Sequence, residues 1–191
     1  MNNCFASKCI ADNCFVLTGA PGSGKTTLLE GLRPLGQPMV AEPARQILAE
    51  QRSFGGRAVP ERDPGLFVEL LLSRALYEYR RHADSRRPVL FDRGLPDVIA
   101  YARLFGLPDS GALAAARRHR YNPRVFLLPA QEGIYRQDDE RKMTFAEAHA
   151  FGEIIRQAYE ELGYAVVELP EGMPDERAGA LLAQLPGQSS S

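Results

Sequence analysis

The residues of this chain best suited to chemistry begin at Gly19. Gly19-Ala20-Pro21-Gly22-Ser23-Gly24-Lys25-Thr26 fits the pattern G-x-x-x-x-G-K-[ST], and Thr27 follows it. Glycines at this spacing let successive backbone N–H groups turn inward around an anion, and a helix start behind them adds partial positive charge. Lys25 then reaches the β- and γ-phosphates of a bound nucleotide, and the Thr26 hydroxyl ligates Mg²⁺. The Lys25 side chain is expected to stand exposed in the empty loop. Guanine-specific proteins generally carry an Asn-Lys-x-Asp reader. The sequence has none, which favours adenine, and so ATP with Mg²⁺ as cofactors.

A second acid lies further along. The apolar run Val89-Leu90-Phe91 ends in Asp92, followed by Arg93 and Gly94. In folds built on a phosphate loop, an acid at the end of a neighbouring strand faces Mg²⁺ and the γ-phosphate. A simple hydrolase would show Asp-Glu, with the glutamate activating water. Asp-Arg instead suits holding an acceptor hydroxyl and balancing charge at a transferred phosphoryl group. Asp92 could act as base, as positioner, or by holding a metal-bound water; the residues do not separate these roles. The bland alternative is a strand-end turn capped by Asp92, with Arg93 solvated. Asp97 reads as a helix-start residue.

These groups need a scaffold, and the hydropathy pattern predicts one. Cys14 to Gly19 is a short apolar strand, as expected when both faces of a sheet are covered. Further strands are expected at Pro38–Glu42, Pro88–Asp92, Arg124–Pro129 and Tyr164–Pro170. Helices alternate with them. One carries Leu28, Leu29 and Leu32, and one has Pro43 in its first turn. A long one is opened by Asp63 and Pro64, with an apolar stripe of Leu66, Leu70, Ala75, Leu76 and Tyr79. Another is stopped by Gly106, and another is capped by Thr144 with Glu147 and closed by Gly163. Strict alternation predicts a parallel sheet with helices on both faces, and ligands beyond the carboxyl ends of the strands.

Composition narrows the class. The chain has 191 residues, 45% hydrophobic and 25% charged, with a net charge of −1. That suits one α/β domain over residues 13–186, behind an irregular leader (1–12) and before a frayed tail (187–191). No global field draws it to nucleic acid, and no run approaches the ~20 apolar residues of a membrane span. Neither partner is expected. Cys4, Cys9 and Cys14 have no histidine pair to make a zinc site, so reduced thiols and a cytoplasmic location are expected. Only three of the 23 basic residues are lysines, so arginines carry most of the capacity to grip phosphate.

Taken together, "GAPGSGKTT", "AEPARQI", "FDRGLPDVIAYARLFGLP", "YNPRVFLLP" and "IYRQDDERKMTFAEA" are similar to a family of bacterial predicted ATPases labelled as an AAA domain. That family is related to the ribosylnicotinamide kinase domain and, more distantly, to deoxynucleoside and thymidylate kinases. The resemblance spans about residues 14–170. It implies a three-layer α/β/α P-loop fold with a five-stranded parallel sheet in the order 2-3-1-4-5. It also implies that Glu42 and Arg45 face an acceptor, with a surface helix-start pair as the alternative reading. The stretch Tyr135-Arg136 to Arg141-Lys142 resembles the arginine lid of such kinases, with Arg136 and Arg141 closing on triphosphate oxygens.

Nothing resembles the finger and sensor residues of ring-forming AAA motors. The reading is a monomeric or homodimeric small-molecule kinase, transferring the γ-phosphate of Mg·ATP to a hydroxyl of a nucleoside-like metabolite. Its rival is a regulatory or adaptor protein that hydrolyses ATP or GTP slowly and has no small-molecule acceptor.

Overall fold

In chain order the strands are Cys9–Ala11 (β1), Cys14–Gly19 (β2), Met39–Val40 (β3), Val89–Asp92 (β4), His119–Tyr121 (β5), Arg124–Leu128 (β6) and Ala165–Glu168 (β7). The structure, a computed structural model, describes residues 9–131, 143–170 and 172–186. β2 is buried along its whole length and sits at the centre of a parallel sheet ordered β3-β4-β2-β6-β7. Counting only these five strands along the chain, the order is 2-3-1-4-5, as the resemblance implies.

The described helices are Lys25–Leu32 (α1), Pro43–Ser53 (α2), Pro64–His82 (α3), Leu95–Leu104 (α4), Ser110–Arg118 (α5), Phe145–Glu161 (α6) and Pro174–Leu182 (α7). Alternation along the strands divides the core into two layers. Cys14 and Val16 of β2, Val89 and Phe91 of β4 and Val125 of β6 join the layer under α2 to α6. Phe15, Leu17, Leu90, Phe126 and Leu128 point the other way, onto Leu28 and Leu32 of α1 and Ala178 and Leu181 of α7. A sheet covered on both faces needs strands that are apolar throughout, which is why β2 and β4 show no polar alternation. No described helix is long and apolar enough to cross a membrane.

Local signals place the helix ends. The Asp63 carboxylate accepts from Leu66 N at 3.0 Å, and Thr144 and Glu147 exchange bonds at the start of α6. Gly106 and Gly163 follow α4 and α6 with left-handed φ values of 65° and 74°. Cys14 donates its thiol to His82 O, and burial pushes that thiol up to about 12. It remains a protonated core side chain.

Three sequence expectations are corrected. Residues 9–11, assigned to an irregular leader, form β1 and pair in parallel with β5. The basic run Arg117-Arg118-His119-Arg120 reads in the sequence as a helix end, but the helix stops at Arg118. His119 and Arg120 lie in β5, where the Arg120 guanidinium covers the Tyr164 ring at 3.8 Å. On α3 the buried stripe is Phe67, Leu71, Ala75 and Tyr79, a strict four-residue spacing, while Leu66 and Tyr77 are exposed. Residues 66–72 are apolar almost all round the helix, so periodicity alone left the phase of the stripe undetermined.

Candidate active site

The phosphate loop begins where β2 ends. Gly19 has φ 145°, and a Cβ there would lie 2.2 Å from Leu128 O on the neighbouring strand, so only glycine fits. The loop then turns through left-handed Gly22 and Gly24 into α1. Leu17 is in register with Asp92 on β4, so parallel pairing sets the Asp92 carboxylate beside the root of the loop. Lys25 Nζ lies 3.9 Å from Asp92 Oδ1. Lys25 is only 7% exposed, which corrects the expectation of an exposed side chain. It folds back against buried acids instead of extending into solvent.

Burial lowers the Lys25 ammonium's affinity for its proton, and Arg93 adds to this, while Asp92 and Glu42 oppose it. Asp92 moves the other way. Burial raises its carboxyl, with the Lys25 charge opposing and Glu42 adding to the rise. Asp92 Oδ1 and Ser23 Oγ are buried without a hydrogen-bond partner among the described residues. Buried polar atoms of that kind require a reason, and a bound water, ion or ligand supplies one. Arg177 of α7 reaches back across the fold, with Nη1 donating to Ser23 O at 3.2 Å.

Arg93 organises the other side. It is the one non-glycine among the described residues with a left-handed backbone, φ 74°. That conformation costs about 1–2 kcal/mol for an ordinary residue. Two ion pairs hold it: Nε to Glu42 Oε1 at 2.7 Å and Nη1 to Asp97 Oδ1 at 2.9 Å. Glu42 turns its second oxygen to Arg45 Nε at 3.0 Å. The expected Glu42–Arg45 pair therefore exists, but Glu42 is buried and shared with Arg93, and Arg45 is half exposed.

Desolvation would raise the Glu42 carboxyl. The Arg93 and Lys25 charges outweigh it and hold the group near a pKa of about 2. A carboxylate depressed in the folded state stabilises the fold above its unfolded pKa, near 4.5, and loses that contribution as pH falls toward 2. Unfolding free energy measured by urea titration should therefore fall between pH 5 and pH 2 by roughly 3 kcal/mol more in the wild type than in Glu42→Gln. Parallel pH profiles for the two proteins would contradict this.

Ser23, Lys25, Glu42, Arg45, Arg93 and Arg177 line one cleft of about 710 Å³, while Asp92, buried against Lys25, is not part of the lining. The loop end of the cleft is Pro21 to Leu28 with Arg177. Its other end is apolar and aromatic, formed by Ala44, Leu48, Phe67, Tyr101, Phe105 and Phe151. Phe67 packs edge-on to Tyr101 and Phe105, with centroids 5.8 Å and 6.3 Å apart. Glu42 and Arg93 stand in the lining with both ends.

The structure thus brings together Lys25, Asp92, Arg93, Glu42 and Arg45 with the loop residues Gly19 to Thr27. Arg136 and Arg141 lie outside the described residues. The arginines that follow the Gly55-Gly56 turn are occupied locally: Arg57 pairs with Asp63, and Arg62 donates to Gly55 O and Gly56 O. Sequence reasoning missed the aromatic end and Arg177. Phe67 was hidden by the misplaced α3 stripe, and no local pattern marks an arginine on the last helix as facing the loop.

The sheet order, the phosphate loop and the Asp92-Arg93 strand end define a P-loop protein with a kinase-like fold. The chain belongs to the AAA domain family, whose model matches residues 14–177. No curated protein matches it in sequence. Among solved structures it resembles NadR in complex with NAD and AMP-PNP, at 18% identity and TM-score 0.68, over 93% of this chain and 50% of that one. The chain spans about half the length of NadR. It also resembles deoxyadenosine kinase from M. mycoides with products dCMP and dCDP bound, at 12% identity and TM-score 0.65, over 90% and 98% of the chains. YorR from Bacillus subtilis, in complex with phosphorylated GDP, aligns at 15% identity and TM-score 0.54 over 93% and 99%.

Proposed function

We propose that the protein is a small-molecule kinase that moves the γ-phosphate of ATP to a hydroxyl of a flat, nucleoside-like acceptor. The observation that carries this reading is the two-ended cleft. A phosphate loop lies at one end, a pocket of four aromatic rings at the other, and charged groups stand at their junction. A volume of about 710 Å³ is in the range of pockets that enclose small ligands, and the aromatic end suits the face of a planar ring. The fold it shares with deoxyadenosine kinase and NadR supports the same reading.

The residues present fit Mg²⁺, which keeps several waters and takes only one or two protein ligands beside phosphate oxygens. Asp92, whose buried Oδ1 makes no hydrogen bond, and the Thr26 hydroxyl would hold it, and when bound it supplies charge neutralisation at the phosphates. No larger cluster of metal-binding side chains occurs among the described residues. Lys25 and the loop N–H groups bind the phosphates. Arg93 is placed to neutralise charge on the moving phosphoryl group, and Glu42 to orient the acceptor. The apolar walls exclude water, which directs transfer to the acceptor over hydrolysis.

The test is ADP formation by the purified chain with Mg·ATP, alone and with a panel of nucleosides and ribosylated vitamins. At least one acceptor should raise the rate several-fold and appear phosphorylated by mass spectrometry. Tight ATP binding with no acceleration by any acceptor, and slow hydrolysis only, would overturn the reading in favour of a nucleotide-dependent regulator.

A further inference from the structure

Asp97 does more than start a helix. Its carboxylate is almost fully buried and receives four hydrogen bonds. Oδ1 accepts from Thr18 Oγ1 at 2.6 Å and from Arg93 Nη1 at 2.9 Å. Oδ2 accepts from Gly94 N at 2.8 Å and from the Tyr159 hydroxyl. These donors come from four places: the last side chain of β2 before the phosphate loop, the Asp92-Arg93 strand end, the N-cap of α4, and α6. Tyr159 is completely buried, and that burial keeps its hydroxyl protonated and donating. Gly94 is needed for the approach, since a Cβ there would lie 3.0 Å from both Tyr159 and Tyr121.

Arg93 uses Nε on Glu42 and Nη1 on Asp97. Its Nη2 makes no hydrogen bond among the described residues, and the side chain lines the cleft. Asp97 is thus the fixed end of a chain of contacts that sets where Arg93 presents its remaining N–H groups. The same carboxylate, through Thr18, ties that position to the phosphate loop.

We infer that Asp97 is a positioning residue: it holds Arg93 so that the guanidinium meets the terminal phosphoryl group of a bound nucleoside triphosphate. This rests on the phosphate-site part of the proposed function but requires no acceptor. Asp97 touches no ligand itself and acts through Arg93. A carboxylate with all its acceptor capacity filled gives a rigid support, which is what placing a charged donor to within a fraction of an ångström requires.

The experiment measures calorimetric affinities for Mg·ADP and Mg·AMP-PNP in the wild type, Asp97→Asn, Arg93→Gln, the double variant and Tyr159→Phe, with thermal melts alongside. AMP-PNP carries the terminal group that ADP lacks, so the ratio of the two affinities isolates contact with that group. Asp97→Asn should weaken AMP-PNP about tenfold and ADP less than about twofold, and the double variant should be no weaker than Arg93→Gln alone. Equal losses on both nucleotides would mean a merely structural role, and additive losses would mean that Asp97 does not act through Arg93. Unchanged affinities would also overturn the inference.

If Asp97→Asn does not fold, Tyr159→Phe, which removes one of the four donors, decides the matter. It should weaken AMP-PNP selectively by about threefold. An equal effect on both nucleotides, or none, overturns the inference. Failure of the wild type to bind Mg·AMP-PNP would instead defeat the proposed function.

Discussion

Asp92→Asn should lose about 10²–10⁴-fold in acceptor-dependent turnover while its affinity for Mg·ATP changes far less. The phosphate loop supplies binding and charge neutralisation whatever becomes of the phosphate. On the proposed function, what selects its fate would be the group beside the γ-phosphate on the acceptor side. Asp92 ends the strand next to β2, buried and 3.9 Å from Lys25 Nζ. Glu42 also stands at the junction, but Arg93 and Arg45 occupy its two oxygens and hold its pKa low. Asp92 has an oxygen without a hydrogen bond, and burial raises its proton affinity.

On the proposed function, two carboxylates whose environments push them in opposite directions would divide the work, the raised one being the better partner for a proton. Asparagine keeps the shape and removes the charge. Lys25 keeps the fields of Glu42 and Asp97 as partial compensation, so the site should remain formed. Acceptor-stimulated ADP release and calorimetric ATP affinity separate the two effects. Turnover within about threefold of wild type, below the span of a positioned acid or base, would sink the kinase reading in favour of a switch.

Lys25→Ala should weaken Mg·ATP binding by about two orders of magnitude or more, the loss expected when a charge-assisted phosphate contact is removed from a desolvated loop. The structure adds a second consequence. Because Lys25 is buried against Asp92, its loss leaves that carboxylate without its nearest cation. Asp92 should then bind a proton more readily, and the melting temperature should fall as well. The fold should survive, since α1 is anchored by Leu28, Leu29 and Leu32 and not by its first residue. Circular dichroism beside calorimetry checks both parts. Unchanged affinity would falsify the phosphate-loop assignment.

Much of this molecule is written locally. A loop of glycines followed by Lys25 and Thr26, an apolar strand ending at Asp92, and the caps at Asp63 and Thr144 depend on spacing and on residues within a turn of one another. The sequence alone therefore determined the order along the chain of the five main-sheet strands and their helices, the place of the phosphate loop and the candidacy of Asp92, but not the pairing of β1 with β5. What it could not determine depends on which distant surfaces meet.

Phe67, Tyr101 and Phe151 come from three helices, Phe105 caps the second of them, and the four form one wall only because α3, α4 and α6 pack on the same face of the sheet. Asp97 looked like an ordinary helix-start residue, and by the bond to Gly94 N it is one. Its contacts with Thr18 and Tyr159, 79 and 62 residues away, exist only once β2 and α6 are side by side. Lys25 was expected in solvent because lysine usually stays there. Tertiary structure buried it among Asp92, Glu42 and Arg93, where the attraction of the acids only partly offsets the loss of water and the Arg93 charge works against it.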